Sequence, residues 1–258
     1  MLLRAEGVCK DFGSESETVL SGASFKVATA EKVGIVGRSG SGKSTLARIV
    51  AGLEPADAGR VIFDGAVRAY GTATPQSASN PDASSEEGPL RSGRREVRRS
   101  WLSMQMVFQN PEASFSSHMN LGEAVWEGAA YHPSFAHAGR ARRRALVADA
   151  LEAVGLPASI ASKRAFEVSG GQCQRAALAR AIIGEPQLII CDEATSALDV
   201  TVQAKIMNLL EELHASRRMA FLFISHNLPL VANFCDRIYE LRDGLLVERE
   251  DLFTGTEI

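Results

Sequence analysis

Apolar positions recur along the chain with two different periods, and the order in which those periods alternate predicts a fold. Lys32-Val33-Gly34-Ile35-Val36 is an almost unbroken apolar run, followed by a Gly/Ser loop and a helical pattern over residues 44–51. The same strand-like run returns at Leu188-Ile189-Ile190-Cys191 and at Phe221-Leu222-Phe223-Ile224. Strands with no polar face belong to parallel sheets covered by helices on both sides. Residues 19–27 alternate loosely between apolar and polar, and Val61-Ile62-Phe63 runs into Asp64-Gly65 like a strand entering a turn. Residues 119–160 carry helical patterning, with Leu146, Ala150, Leu151 and Val154 on one face. The predicted class is α/β, with the helical stretch set into the core as a separate lobe.

Residues 72–93 break the pattern: they are rich in Ser, Ala, Pro, Glu and Gly without periodicity, which predicts a solvated, mobile insertion. Arg91, Arg94, Arg95, Arg98 and Arg99 follow, and Arg140, Arg142, Arg143 and Arg144 form a second cluster. Runs of this kind are mostly solvated helix faces, with contact to anionic lipid headgroups as the alternative. A length of 258 residues suits one well-buried domain, or one divided into two lobes. The formal net charge of -3 argues against nucleic acid as the main partner. No apolar run approaches the roughly 20 residues of a spanning helix, and residues 1–6 lack the pattern of a secretory leader. Cys9, Cys173, Cys191 and Cys235 form no C-x-x-C pair and are expected as free thiols.

Gly37-Arg38-Ser39-Gly40-Ser41-Gly42-Lys43-Ser44-Thr45 fits G-x-x-x-x-G-K-[ST] directly after a strand and before a helix. Glycines let consecutive N–H groups turn inward onto phosphate oxygens, and the following helix adds its positive end. Lys43 is expected to bridge β- and γ-phosphates, and Ser44 to hold Mg²⁺. A glycine turn without ligand is disfavoured, since every required position is filled in the required context. Asp192-Glu193 ends an apolar strand, at the edge where open α/β sheets bind ligands. Asp192 suits a hard cation, and Glu193 suits a base or orienting group for the attacking water. The same pair taken alone also reads as a helix N-cap. Val168-Ser169-Gly170-Gly171-Gln172 precedes a helix expected to start near Cys173, making a second anion site. One chain has no use for two γ-phosphate cradles, so this one is expected to serve ATP held by a second chain, although the turn taken alone reads sooner as a tight turn with no ligand.

With these residues, the chain resembles the ATP-binding-cassette family over nearly its whole length. The family signature L-S-G-G-Q is matched with Val168 in place of Leu. Its D-loop is matched by Ser196-Ala197-Leu198-Asp199, its switch histidine by His226, and its Q-loop glutamine by Gln109. The resemblance implies a P-loop NTPase with a RecA-like core sheet, an N-terminal antiparallel β subdomain and an inserted α-helical subdomain. It divides the single nucleotide-binding domain into residues 1–99 and 165–258 (core) and 100–164 (helical). It implies ATP and Mg²⁺ as ligands, with Ser44, Gln109 and Asp192 at the metal and Phe12 stacking on adenine, although Phe12 also reads as an ordinary core residue. Two subunits, identical or sister chains, would close head to tail around two ATP molecules. Transmembrane permease subunits would dock near Gln109 and residues 110–126, where Phe115 and Trp126 are open to a core role. A solute-binding protein and a peripheral position on the cytoplasmic face of the membrane complete the picture.

Within the family the likeness is to peptide and nickel importer ATPases. It rests on Gln105 to Ser114, on the stretch from Ser196 to Ala204, and on Leu222 to Leu228. Ala194 stands where Pro is usual, Asn227 where Asp is usual, and residues 72–93 are extra, so nickel, a metal chelate, an opine or a short peptide stay open as cargo. An exporter subunit, a non-transport relative and a regulatory ATP-binding subunit are the alternatives. Repair relatives insert long coiled coils, and no sustained heptads occur here; degenerate subunits lose the glutamate or histidine, and Glu193 and His226 are both present.

Overall fold

The computed structural model describes residues 1–13, 19–70, 103–135, 137–195 and 198–250. The insertion at 72–93, the first arginine cluster and Ser196-Ala197 lie outside them. Two sheets organise the chain. β1 (Leu3–Lys10), β2 (Leu20–Val27), β4 (Ala58–Phe63) and β5 (Ala66–Tyr70) form an antiparallel sheet in the order β2-β1-β4-β5. Asp64 and Gly65 both have positive φ, which is what a tight hairpin between β4 and β5 requires of an Asp-Gly pair.

The second sheet has six strands in the order β10-β9-β3-β8-β7-β6. These are β3 (Lys32–Val36), β6 (Met104–Val107), β7 (Leu188–Asp192), β8 (Ala220–Ile224), β9 (Arg237–Arg242) and β10 (Leu245–Glu248). β9, β3, β8, β7 and β6 run parallel, and β10 turns back antiparallel on the edge. Every residue of β3, β7 and β8 is buried, as continuous apolar runs demand of strands covered on both faces. Alternate side chains enter two different cores. Leu188, Ile190, Leu222 and Ile224 pack with helix α1 (Lys43–Val50) and the antiparallel sheet. Ile189, Cys191, Phe221 and Phe223 face the helices on the other side.

That other side holds α2 (Leu121–Glu127), α3 (Arg140–Ala153), α4 (Gly170–Ile182), α5 (Val200–Arg217) and α6 (Leu228–Phe234). Asn120 caps α2 through a reciprocal pair of hydrogen bonds with Glu123. α3 buries Ala150 and Leu151, with Val154 just beyond it, as predicted; Val147 joins them, and Leu146 is partly buried against the same core. Arg140, Arg142, Arg143 and Arg144 open α3 on its exposed side. The boundary drawn at residue 100 falls ahead of β6, which is hydrogen-bonded to β7 in the main sheet, so the helices begin only after it.

α2 and α4 meet at a point with no space for a side chain. A Cβ on Gly128, the residue that ends α2, would sit 1.9 Å from the Arg180 carbonyl oxygen. Arg180 in turn donates to the Ser114 carbonyl at 2.7 Å and to Ser114 Oγ at 3.0 Å, with its guanidinium 4.6 Å over the Phe115 ring. Phe115 is therefore a core residue, and the segment following β6 is tied to α4. Gly128→Ala should force the two helices apart and lower the unfolding free energy by about 3 kcal/mol in a denaturant titration.

Candidate functional site

Parallel register places the C-terminal ends of β3, β8, β7 and β6 side by side, and each delivers a predicted residue. The glycine loop follows β3, His226 follows β8, Asp192-Glu193 ends β7, and Gln109 follows β6. The structure brings these together as direct contacts. Glu193 Oε2 accepts from Gln109 Nε2 at 2.8 Å, and Glu193 Oε1 lies 3.3 Å from His226 Nδ1. One carboxylate thus joins residues from three strand ends. Glu193 is also a non-glycine residue at φ 50°, a sparsely populated conformation, held there by its N–H donating to the Ile224 carbonyl at 3.0 Å. Asp192-Glu193 does not cap a helix: Asp192 is the last residue of β7 and is buried.

The loop of residues 37–45 is built for a ligand. Gly42 has φ 99°, and a Cβ there would come within 2.6 Å of Val19 Cγ1, so only glycine starts α1 in this way. Arg38, Ser39 and Gly40 are exposed, with Thr45 half-buried in the first turn of α1. Lys43 Nζ donates to the carbonyls of Gly37 and Arg38, both at 2.8 Å. Burial lowers the Lys43 pKa, while Glu193 and Asp192 oppose that shift. Ser41 Oγ is buried with no hydrogen-bond partner, an orphaned donor inside a phosphate-type loop. Ser44 Oγ donates to Asp192 Oδ1 at 3.0 Å. Burial raises the Asp192 pKa against the Ser44 hydrogen bond that lowers it.

These groups fit a magnesium nucleotide. Mg²⁺ prefers a few oxygen ligands and fills its remaining positions with water and phosphate oxygens, so a hydroxyl beside a carboxylate suffices. Gln109, the third predicted metal residue, donates its Nε2–H to Glu193, a bond that does not use the Oε1 that would face a cation.

Ser169 and its neighbours form a separate site on the helical lobe. The sequence predicts a helix from about Cys173, but α4 begins at Gly170 with Ser169 as its N-cap. The reason is a capping box: Ser169 Oγ accepts from the Gln172 N–H at 3.3 Å, and Gln172 Oε1 accepts from the Ser169 N–H at 3.0 Å. Ser169 and Gly170 are exposed, and the backbone N–H groups of Gly170 and Gly171 fall in the first helical turn, where no intrahelical acceptor exists. Asp199 caps α5 by accepting from the Val202 N–H at 2.9 Å. Phe12 is 58% exposed with Lys10 Nζ 5.2 Å from its ring centre, which excludes the core reading and leaves an open aromatic face.

Two residues behind Phe12 carried no signal in the sequence. Asp57 accepts from Lys10 Nζ at 3.2 Å and from the Asp11 N–H at 2.6 Å, and so anchors the end of β1. The Asp11 N–H also holds the Asp57 carboxyl below its ordinary pKa. Partners 46 and 47 positions apart share no local pattern that would announce them.

Comparison with known proteins follows the same line. A family model described as ABC transporter matches residues 20–196. A putative peptide import ATP-binding protein of Brucella ovis is 39% identical over 98% of this chain and 74% of its own length. The nickel import ATP-binding protein NikE of Rhodospirillum rubrum is 37% identical over 95% of this chain and 79% of its own. A dimeric bacterial ABC transporter cassette, MJ0796, superposes with a TM-score of 0.80 at 26% identity, covering 96% of this chain and 98% of that one. The same cassette in a post-hydrolysis state bound to ADP and Pi gives 0.78 at 25% identity with the same coverage.

Because burial raises the Asp192 pKa, its ionised form costs the nucleotide-free fold stability. That cost is complete above the folded pKa and absent below the ordinary carboxylate range. Asp192→Asn should therefore raise the melting temperature of the free protein at neutral pH, and also remove the extra stabilisation that magnesium and ATP together give the parent. Differential scanning calorimetry with and without both ligands measures the two effects.

Proposed function

The chain belongs to the ABC transporter family and is an ATP-hydrolysing subunit, and from that premise we propose how its residues divide the work and what it serves. The observation that carries the proposal is the Glu193 carboxylate, held at once by Gln109 and His226 beside Asp192 and Lys43. Triphosphate lies along residues 37–45, with backbone N–H groups and Ser41 Oγ on its oxygens. Lys43 exchanges the Gly37 and Arg38 carbonyls for β- and γ-phosphate oxygens. Ser44 and Asp192 are the residues that would hold Mg²⁺, which when bound neutralises charge on the β- and γ-phosphates. Phe12 offers its exposed face to the adenine ring.

Glu193 takes the proton of the attacking water as the water oxygen bonds to the γ-phosphorus and the bond to the β-phosphate oxygen breaks, leaving ADP and phosphate. Gln109 and His226 fix the carboxylate from either side, and His226 has a second ring nitrogen free to meet the γ-phosphate. The turn at Ser169-Gly170-Gly171-Gln172, exposed at its first two residues, offers the N–H groups of Gly170 and Gly171 as an anion site. It serves the ATP of a second copy or sister chain, with Asp199 beside the same interface.

Uptake of a peptide, nickel or a metal chelate is the transport reading that the importer relatives support. The helices between β6 and β7 are the part of the domain that meets the permease. There α2, α3 and the turn at Ala158–Ser162 enclose a groove of about 670 Å³, lined by Trp126, Arg140, Arg143, Arg144 and Val147. A solute-binding protein outside the membrane would complete an importer, and the ATPase would sit on the cytoplasmic face. No helix among the described residues is long and apolar enough to cross a membrane.

Glu193→Gln keeps the Gln109 and His226 contacts but cannot accept a proton. It should lower ATP turnover by about 10²- to 10⁴-fold while retaining ATP binding. It should also accumulate as an ATP-bound dimer in size-exclusion chromatography. Turnover near the parental rate would remove Glu193 from the chemistry, and turnover by Lys43→Ala would remove the loop.

A further inference from the structure

Apart from Ser41 Oγ, which the phosphate site accounts for, the only buried side-chain polar atoms without a partner among the described residues are Oε1 and Nε2 of Gln174. Gln174 lies on α4, five positions after the Ser169 cap, and is 2% exposed. A buried amide that makes no hydrogen bond destabilises a fold, and a methionine of similar shape would avoid that cost. The position of the amide suggests why it is there.

Gln174 lines a small recess together with Leu178 of α4, Cys191 of β7, Ala194, Thr195 and Leu198. Ala194, Thr195 and Leu198 belong to the stretch that leads from Glu193 to the Asp199 cap of α5. The same stretch comes close to the signature turn: a Cβ added to Gly171 would lie 3.5 Å from Leu198 Cδ2. The space measures about 10 Å³, and one water needs roughly 10–15 Å³ and two or more polar partners. Gln174 supplies a donor and an acceptor. The Thr195 hydroxyl, buried and already accepting from Gln203 Nε2 at 3.2 Å, still has a proton to direct.

We propose that Gln174 binds a single internal water between α4 and the segment after Glu193. Through that water, the anion-binding turn at Ser169 and the strained Glu193 of the same chain hold one fixed relative position. Gln174 is then a positioning residue. It touches neither nucleotide nor water nucleophile, but it links the half-site this chain offers to a partner with the half-site it uses itself. The link rests on the ATPase reading above, whereas the internal water does not.

The test has two arms. A high-resolution crystal structure of the parent should show one ordered water within hydrogen-bond distance of the Gln174 amide; an empty space there overturns the proposal whatever the protein hydrolyses. Gln174→Met fills the volume without the amide. In the assembled transporter it should keep the parental melting temperature or exceed it, leave the KM for ATP unchanged, and lower kcat roughly tenfold through misplacement of Glu193. Parental kcat in this variant overturns the proposal, and so does a joint fall of melting temperature and kcat, which would mark a purely structural residue. Absence of ATP turnover in the parent would sink the ATPase reading instead, and the crystallographic arm would still decide on the water.

Discussion

Three charged groups at one strand edge govern this molecule. Asp192 and Glu193 bring two carboxylates, and Lys43 brings one ammonium, all partly removed from water. Burial pushes Lys43 down and Asp192 up, so each tends toward its neutral form. The local hydrogen bonds resist that tendency: Ser44 donates to Asp192, and two loop carbonyls accept from Lys43. A site so composed is unsatisfied by itself. It gains from a ligand that carries both a divalent cation and anionic oxygens, because such a ligand meets the carboxylate and the ammonium together.

The same edge explains why Glu193 is held in an uncommon backbone conformation. A carboxylate following β7 in extended geometry would continue along the strand direction. At φ 50°, with its N–H on the Ile224 carbonyl, the chain turns sharply and its side chain meets Gln109 from β6 on one side and His226 from β8 on the other. The strain is supported by the parallel strands on either side of β7: buried β8, and β6 at the sheet edge. The helical lobe hangs on this frame through α4, whose Arg180 grips Ser114 and Phe115 just past Gln109. Displacement of the lobe would therefore pull on the residue that touches the Glu193 carboxylate, a physical route from the proposed nucleotide site to the surface where a permease would sit.

A second consequence of the architecture is that, in the proposed reading, the chain would carry two unlike halves of a site. The strand edge brings Lys43, Asp192, Glu193 and the glycine loop; the start of α4 brings N–H groups fixed by a capping box. Neither duplicates the other. Leu198, on the stretch that follows Glu193, lies near Gly171 of the second half within the same chain. A dimer formed by such chains would feel the state of each pocket in the other.

How far the sequence alone reached follows from the range of the forces involved. The continuous apolar runs, the glycine loop, Asp192-Glu193 and the Ser169 turn were legible because each depends on neighbours a few residues away: strand burial, loop curvature, helix capping. Even so, α4 starts three residues earlier than Cys173, because the Gln172 side chain closes back on Ser169, and the buried face of α3 includes Val147, which its arginine-rich start obscured. Strand order, the joint grip of Gln109 and His226 on Glu193, the Asp57 anchor behind Phe12 and the unpartnered amide of Gln174 were decided only by tertiary structure. Each joins residues tens to more than a hundred positions apart, and packing and hydrogen bonding at that separation depend on the register of the whole sheet rather than on any local pattern.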